Sequence, residues 1–457
     1  MTASPDATPD AAPAEPPDPR ALLRSPDYLR LLALAAIGAP MSAAAAFVFL
    51  WLVTELQDLL YTDLPSGLGF DDPPAWWPAP LLALAGLLVA LVIRYLPGQG
   101  GERPTDGFQA GGSPPEPAQV PGIFLAALAG LSLGAVVGPE MPLIALGSGL
   151  GAWAVRLTRR DTPPRALAMV AAAGSFSSFS TLLGNPLSAA FVLMEATGLG
   201  GAMIGLVLVP GMVAAGLGTL IFVGLGAWTG EGTFSLAIPD LPAVGSPTFG
   251  EFGWSIVIGL VAVPVGLGIR KLAVTLQPHV ERRMLVLTPA AGLVIAGLAI
   301  LFGEVSGKSS SLVLFSGQDA LGPFLDHQST YTVGTLVLLF VCKALAYGVA
   351  LSCFRGGPIF PSLFVGAVGG VVISHLPGLD PVTGAALGMA AMTVVMLRFP
   401  LTAVLIATIL LGSNGIEVMP LVIITVAVAY VTTAWLTPPP PEPPPAEPPP
   451  AAAGSGP

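Results

Sequence analysis

Apolar residues run along the chain in separate blocks, at about 28–53, 79–96, 121–137, 142–157, 166–183, 186–199, 202–228, 252–276, 284–302, 332–353, 361–376, 382–397, 400–411 and 419–436. A helix needs about 20 such residues to cross a bilayer. Several blocks reach that length, but many stop between ten and sixteen and are separated by Gly and Pro. This predicts helices that end inside the membrane, which is tolerated only where protein buries the broken backbone or it lines a wet cavity. The fold class expected is an all-α polytopic membrane protein, a bundle of many tilted and broken helices.

Composition strengthens this reading. Of 457 residues, 53% are hydrophobic and only 10% charged, against roughly 25% charged in soluble proteins. The net charge of −10 comes largely from acidic tails and loops, and no basic cluster suggests nucleic acid. Residues 1–24, rich in Pro, Ala and Asp and without an apolar core, read as a disordered tail and not as a signal peptide. Residues 437–457 read as a solvated Pro-rich tail. Between them lies a membrane domain at 25–436.

Loop charges predict its orientation. The loops with Arg94 and Arg103, with Arg156, Arg159, Arg160 and Arg165, and with Arg270, Lys271, Arg282 and Arg283 are basic. Those with Glu55, Asp58, Asp63, Asp71 and Asp72, and with Glu231, Asp240 and Glu251, are acidic. Basic loops face the cytoplasm, and Arg20, Arg24 and Arg30 place the N-terminus there as well.

Pro142 opens PLIALG and Pro361 opens PSLFVG, and the next blocks open PLSA at Pro186 and PLTA at Pro400. Two copies of a Pro-led helix pair, in halves of about 28–230 and 250–436, fit the duplicated architecture of transporters, with the site where the copies meet. Proline favours the first turn of a helix, so these four residues are expected at helix starts. A helix start presents unpaired N–H groups and partial positive charge, which hold an anion without trapping it. Anion permeation is the chemistry indicated.

Glu140, between Pro139 and Met141-Pro142, is an acid at membrane depth and a functional candidate on that ground. At a helix start it can occupy an anion site itself and be displaced by a proton or an arriving anion; the alternative is a carboxylate that only caps its own helix. Glu195 is a candidate proton station or an end-of-helix acid bonded to nearby backbone. Lys343 is expected to satisfy buried carbonyls or a partner acid and not to carry substrate. Cys342 and Cys353 read as packing residues, and His279, His327 and His375 form no metal-ligand pair. No cofactor is expected, and Ser306–Ser309 does not complete a phosphate-binding loop.

These residues resemble the CLC family of chloride channels and chloride/proton exchangers. GPEMPLIALG is similar to its Gly-x-Glu-Gly-Pro motif, GNPLSAAFVLMEATG to its Asn-x-Pro-Leu segment, and SCFRGGPIFPSLFVGAVGG to its Gly-Gly-x-Phe-x-Pro stretch. The resemblance implies an inverted repeat, a homodimer with one chloride (or similar small anion) pathway per subunit, and Glu140 as gate. It implies anion binding by backbone N–H groups near Gly138, Met141, Gly357, Ile359 and Phe360. It also implies a multi-pass protein of the bacterial plasma membrane, both termini cytoplasmic, without cytoplasmic regulatory domains.

The departures bear on mechanism. Met141 stands for the family's second glycine and Pro139 for the basic residue before the glutamate; Pro358 stands where an N–H donor is expected and has none. The family's pore serine is absent, with Gln99 the nearest candidate anion contact, and Tyr430 lies too early to stand for its pore tyrosine. Counted from Pro186, Ala196 falls on the exchangers' proton glutamate and Glu195 one position before it. Passive conduction and proton-coupled antiport therefore both stay open. A membrane-embedded enzyme would need a nucleophile with a base, or a metal cluster, in the spans, and the scattered acids and histidines supply neither. The missing serine and tyrosine leave a non-transporting scaffold as a third reading.

Overall fold

The computed structural model describes residues 24–108, 113–158, 164–198, 203–230, 238 and 241–437. Nearly all of the two tails, with Arg159, Arg160, Glu231 and Asp240, lies outside the described residues. The first half contains α1 (Pro26–Asp58), α2 (Pro78–Tyr95), α3 (Val120–Ser132), α4 (Glu140–Thr158), α5 (Pro164–Leu183), α6 (Pro186–Thr197) and α7 (Met203–Thr229). The second contains α8 (Phe249–Arg282), α9 (Met284–Ser306), α10 (Gln318–Asp326), α11 (Val333–Leu351), α12 (Ile359–Ser374), α13 (Pro381–Leu397), α14 (Pro400–Leu410) and α15 (Ser413–Leu436). Among the described residues, eight helices are long and apolar enough to cross a membrane, and α3, α6, α12, α13 and α14 are shorter apolar pieces. The all-helical bundle of spanning and broken helices is thus the observed fold.

The duplication is visible in the glycines. Gly147 and Gly366 lie nine residues after Gly138 and Gly357, and Gly151 and Gly370 thirteen after. An added Cβ at Gly147 would meet the backbone of Gly174 on α5, and one at Gly151 that of Val170 and Ala171. In the second half Gly366 is set against Gly388 on α13 and Gly370 against Gly384 in the same way. Without a hydrophobic drive between helices in lipid, close backbone approach through small residues holds such pairs together. Gly370→Ala should therefore lower the melting temperature of the detergent-solubilised protein by several degrees, a penalty of about 1–3 kcal/mol for overpacking. Gly297→Ala, at a site with open space around it, should leave it unchanged.

One expectation needs correction. Pro142 and Pro361 do not open their helices, since α4 starts at Glu140 and α12 at Ile359, which puts both prolines at the third helical position. The first four N–H groups of a helix have no intrahelical partner, so proline is tolerated at each of these places. Pro186 and Pro400 do stand first in α6 and α14.

Hydrogen bonds from Tyr61, Lys343, Tyr347 and Arg355 position the loops that enter the centre. The Gly134 carbonyl accepts from the Phe315 N–H at 3.2 Å, and the Tyr61 hydroxyl donates to the Leu133 carbonyl at 2.9 Å. Lys343, fully buried on α11, donates to the carbonyls of Leu314 (2.6 Å) and Phe315 (3.0 Å). The lone intramembrane lysine thus satisfies backbone, as the sequence predicted. On the other loop, the Tyr347 hydroxyl donates to the Pro358 carbonyl at 2.8 Å. Arg355 Nε donates to the Gln99 carbonyl at 3.1 Å.

Candidate functional site

The loop before α4 and the loop before α12 meet head to head. The Gly138 N–H donates to the Gly357 carbonyl at 2.8 Å and the Gly357 N–H to the Gly138 carbonyl at 2.6 Å, a two-bond antiparallel bridge between segments 219 positions apart. Glycine on both sides leaves room for the Glu140 side chain, which lies across the bridge; an added Cβ at either residue would fall on its carboxyl group.

Glu140 is fully buried. Its Oε1 accepts from the Phe360 N–H at 2.8 Å, and the N–H groups of Ile359 and of Glu140 itself also face the carboxyl group. Among the described residues its Oε2 has no partner. The start of one repeat's short helix therefore supplies a donor to the acid at the start of the other's. A carboxylate oxygen thus rests on a helix-start N–H, the kind of donor that favours negative charge.

This geometry sorts the predicted donors. Phe360 and Ile359 face the carboxyl group, whereas the N–H groups of Gly138 and Gly357 are used in bonding each other and are not free for an anion. No bond joins the Met141 N–H to the carboxylate; Met141 instead lines an adjoining cavity. Gln99 is also corrected. Its side chain is exposed, and the turn through Gly98, Gln99, Gly100 and Gly101, all with positive φ, delivers only its backbone carbonyl to the interior. Tyr430 is 40% exposed, away from the centre.

Glu195 lies apart from Glu140. Its Oε1 and Oε2 accept from the N–H groups of Leu401 (2.8 Å) and Thr402 (2.6 Å). In the first half the corresponding donors, Leu187 and Ser188, are taken by Asn185. At the start of α14 the N-cap is Phe399, which has no side-chain cap bond. An acid from α6 supplies the missing acceptor, a charge-assisted cap across the two halves.

Sequence reasoning passed over Tyr347 and Arg355. Tyr347 is fully buried and Arg355 is 7% exposed. A polar or charged group inside an apolar stretch is itself a functional signal, and Arg355 carried it from within SCFRGG.

Comparison with known proteins agrees with this architecture. Residues 81–434 match the family model described as voltage gated chloride channel. The chain belongs to this CLC family. Two relatives carry the name "Putative ion-transport protein YfeO", from Escherichia coli O7:K1 and Escherichia fergusonii. Each is 28% identical over 362 residues, covering 76% of this chain and 80% of the relative. Among solved structures, a slow cyanobacterial Cl−/H+ antiporter superposes with a TM-score of 0.70 at 18% identity, over 89% of this chain and 95% of that one. A CLC-type fluoride/proton antiporter gives 0.66 at 18% identity over the same shares. At this identity the likeness speaks for the fold, the inverted-repeat helical bundle of a CLC membrane protein.

Proposed function

We propose that this CLC protein moves chloride or a similar small anion across a bacterial plasma membrane, with Glu140 as the gate. The observation that carries the reading is the Glu140 carboxylate on the Phe360 N–H, a built-in anion at a helix start beside the meeting point of the two repeats. The basic loops favour cytoplasmic ends for α4 and α8, the arginines before α1 a cytoplasmic N-terminus, and family membership a cytoplasmic C-terminus. The functional unit is taken as a homodimer with one pathway per subunit.

Proton-coupled antiport is the second reading, and a specific observation favours it: Oε2 of Glu140 is buried without a partner, a position that a proton would stabilise. In liposomes carrying a chloride gradient, an imposed pH gradient should shift the reversal potential away from the chloride Nernst value. A reversal potential fixed at that value excludes coupling and leaves passive conduction, and the absence of any anion flux overturns the transport reading.

A further inference from the structure

Each backbone donor at the gate is one edge of a peptide unit. These units are trans, and in a trans peptide the N–H and C=O lie on opposite edges of one plane, so whatever holds the carbonyl also aims the N–H. The N–H groups of Ile359 and Phe360 face the Glu140 carboxyl group, and they share their peptide units with the carbonyls of Pro358 and Ile359. Side-chain hydroxyls hold both carbonyls. Tyr347 on α11 donates to the Pro358 carbonyl at 2.8 Å, and Ser362 on α12 donates to the Ile359 carbonyl at 2.7 Å.

The two hydroxyls differ in kind. A serine bonding a carbonyl one turn back on its own helix is a common local arrangement. Tyr347 instead reaches across from a neighbouring helix and is fully buried. A buried tyrosine hydroxyl needs some partner, and this one has the carbonyl directly behind the Ile359 donor. The Ser362 N–H also reaches the Pro358 carbonyl, but at 3.3 Å, so the tyrosine is the closer of the two. Pro358 has no N–H of its own, which leaves its carbonyl as the only backbone group by which that residue can be held.

A hydrogen bond accepted by a carbonyl polarises the peptide and strengthens neighbouring bonds in the same chain, by about 10–30% per bond. The order here is hydroxyl, peptide, carboxylate. Charged groups within electrostatic reach of the Tyr347 hydroxyl are Glu140 and Arg270 of α8, and Arg270 lies near Arg398 after α13. Lys343, one turn earlier on α11, is taken up by the Leu314 and Phe315 carbonyls.

We propose that Tyr347 and Ser362 are positioning residues for transport, each aiming and strengthening the peptide N–H that meets the Glu140 carboxylate, or an anion once the carboxylate has left. The proposal rests on anion transport gated at Glu140. With their hydrogens spent on carbonyls, the hydroxyls are not themselves anion donors.

The test is chloride efflux from liposomes containing the full chain, measured against pH and against chloride concentration. In Tyr347→Phe, which removes the hydroxyl and keeps the ring, the rise of efflux on acidification should set in at about two- to fourfold lower proton concentration, because weakened donors release the carboxylate more readily. In a Glu140→Ala background the donors meet the anion alone, and Tyr347→Phe should raise the chloride concentration for half-maximal efflux by about two- to fourfold. Ser362→Ala should move both readouts in the same directions. A ring-fluorinated tyrosine in place of Tyr347, a stronger donor of nearly the same shape, should move both in the opposite directions. A folded Tyr347→Phe protein with both readouts unchanged overturns the proposal and leaves transport standing, whatever its melting temperature, since a tyrosine that only fills the core would alter stability alone. Should Tyr347→Phe fail to fold, the fluorinated protein decides: opposite shifts support the proposal and unchanged readouts overturn it. Efflux that is absent, or identical with and without Glu140, removes the gate and the proposal together.

Discussion

Chloride efflux from liposomes containing Glu140→Ala protein should exceed that of the unaltered protein at neutral pH by about tenfold or more. A hydrogen bond to an ionised group contributes about 1.5–3 kcal/mol, which biases the Phe360 donor toward its own carboxylate and against a passing anion by roughly 10- to 100-fold. Removing the carboxylate removes that competition. Acidification should raise flux through the unaltered protein, because a protonated carboxyl holds the donor less strongly, and should leave the variant almost unaffected. Any proton movement that accompanies anion flux should be lost in the variant. Equal efflux from the two proteins at every pH would remove Glu140 from the gate.

Gly138→Ala should reproduce much of that effect without touching the acid. The three nearest atoms that a methyl group at residue 138 would meet all belong to the Glu140 carboxyl group, and the backbone there has no positive φ, so the conflict is steric and confined to the gate. The carboxylate must leave the Phe360 N–H to make room. Efflux at neutral pH should rise by about fivefold or more, on the same reasoning from the lost charge-assisted bond. In a Glu140→Ala background the same substitution should add almost nothing, since the group it displaces is gone, and this non-additivity is the signature of direct contact. Additive effects in the double variant would show that residue 138 acts through the bridge to Gly357 and not through the carboxylate.

The sequence showed these features unevenly, for physical reasons. Block length and hydropathy reported the spanning and broken helices, because lipid allows few alternatives. The repeat was read from its prolines and from Gly147 and Gly366, and the helix contacts extend that register to Gly138 and Gly151 against Gly357 and Gly370 among 56 glycines. Glu140 was legible as an acid in an apolar run. Its donor at Phe360 was reached only through the family resemblance, because no local pattern joins residues 220 positions apart. Gln99 was chosen for its side chain, whereas a turn of positive φ presents its carbonyl. Arg355 was hidden in plain view inside a motif valued for its glycines.

The bridge between Gly138 and Gly357 bears on the tempo of transport. Parting the two loops would leave two buried N–H···O bonds unmade, at about 1–3 kcal/mol for each unsatisfied group. Turning one glutamate side chain away gives up its bond from Phe360 and leaves the bridge intact. The ladder thus acts as a fixed sill while the carboxylate swings above it. On the proposed gating by Glu140, opening is a rotamer event, faster in kind than the microsecond-to-millisecond rocking of whole domains. Under passive conduction through that proposed gate, the number of ions passed per opening is set by the lifetime of one side-chain conformer.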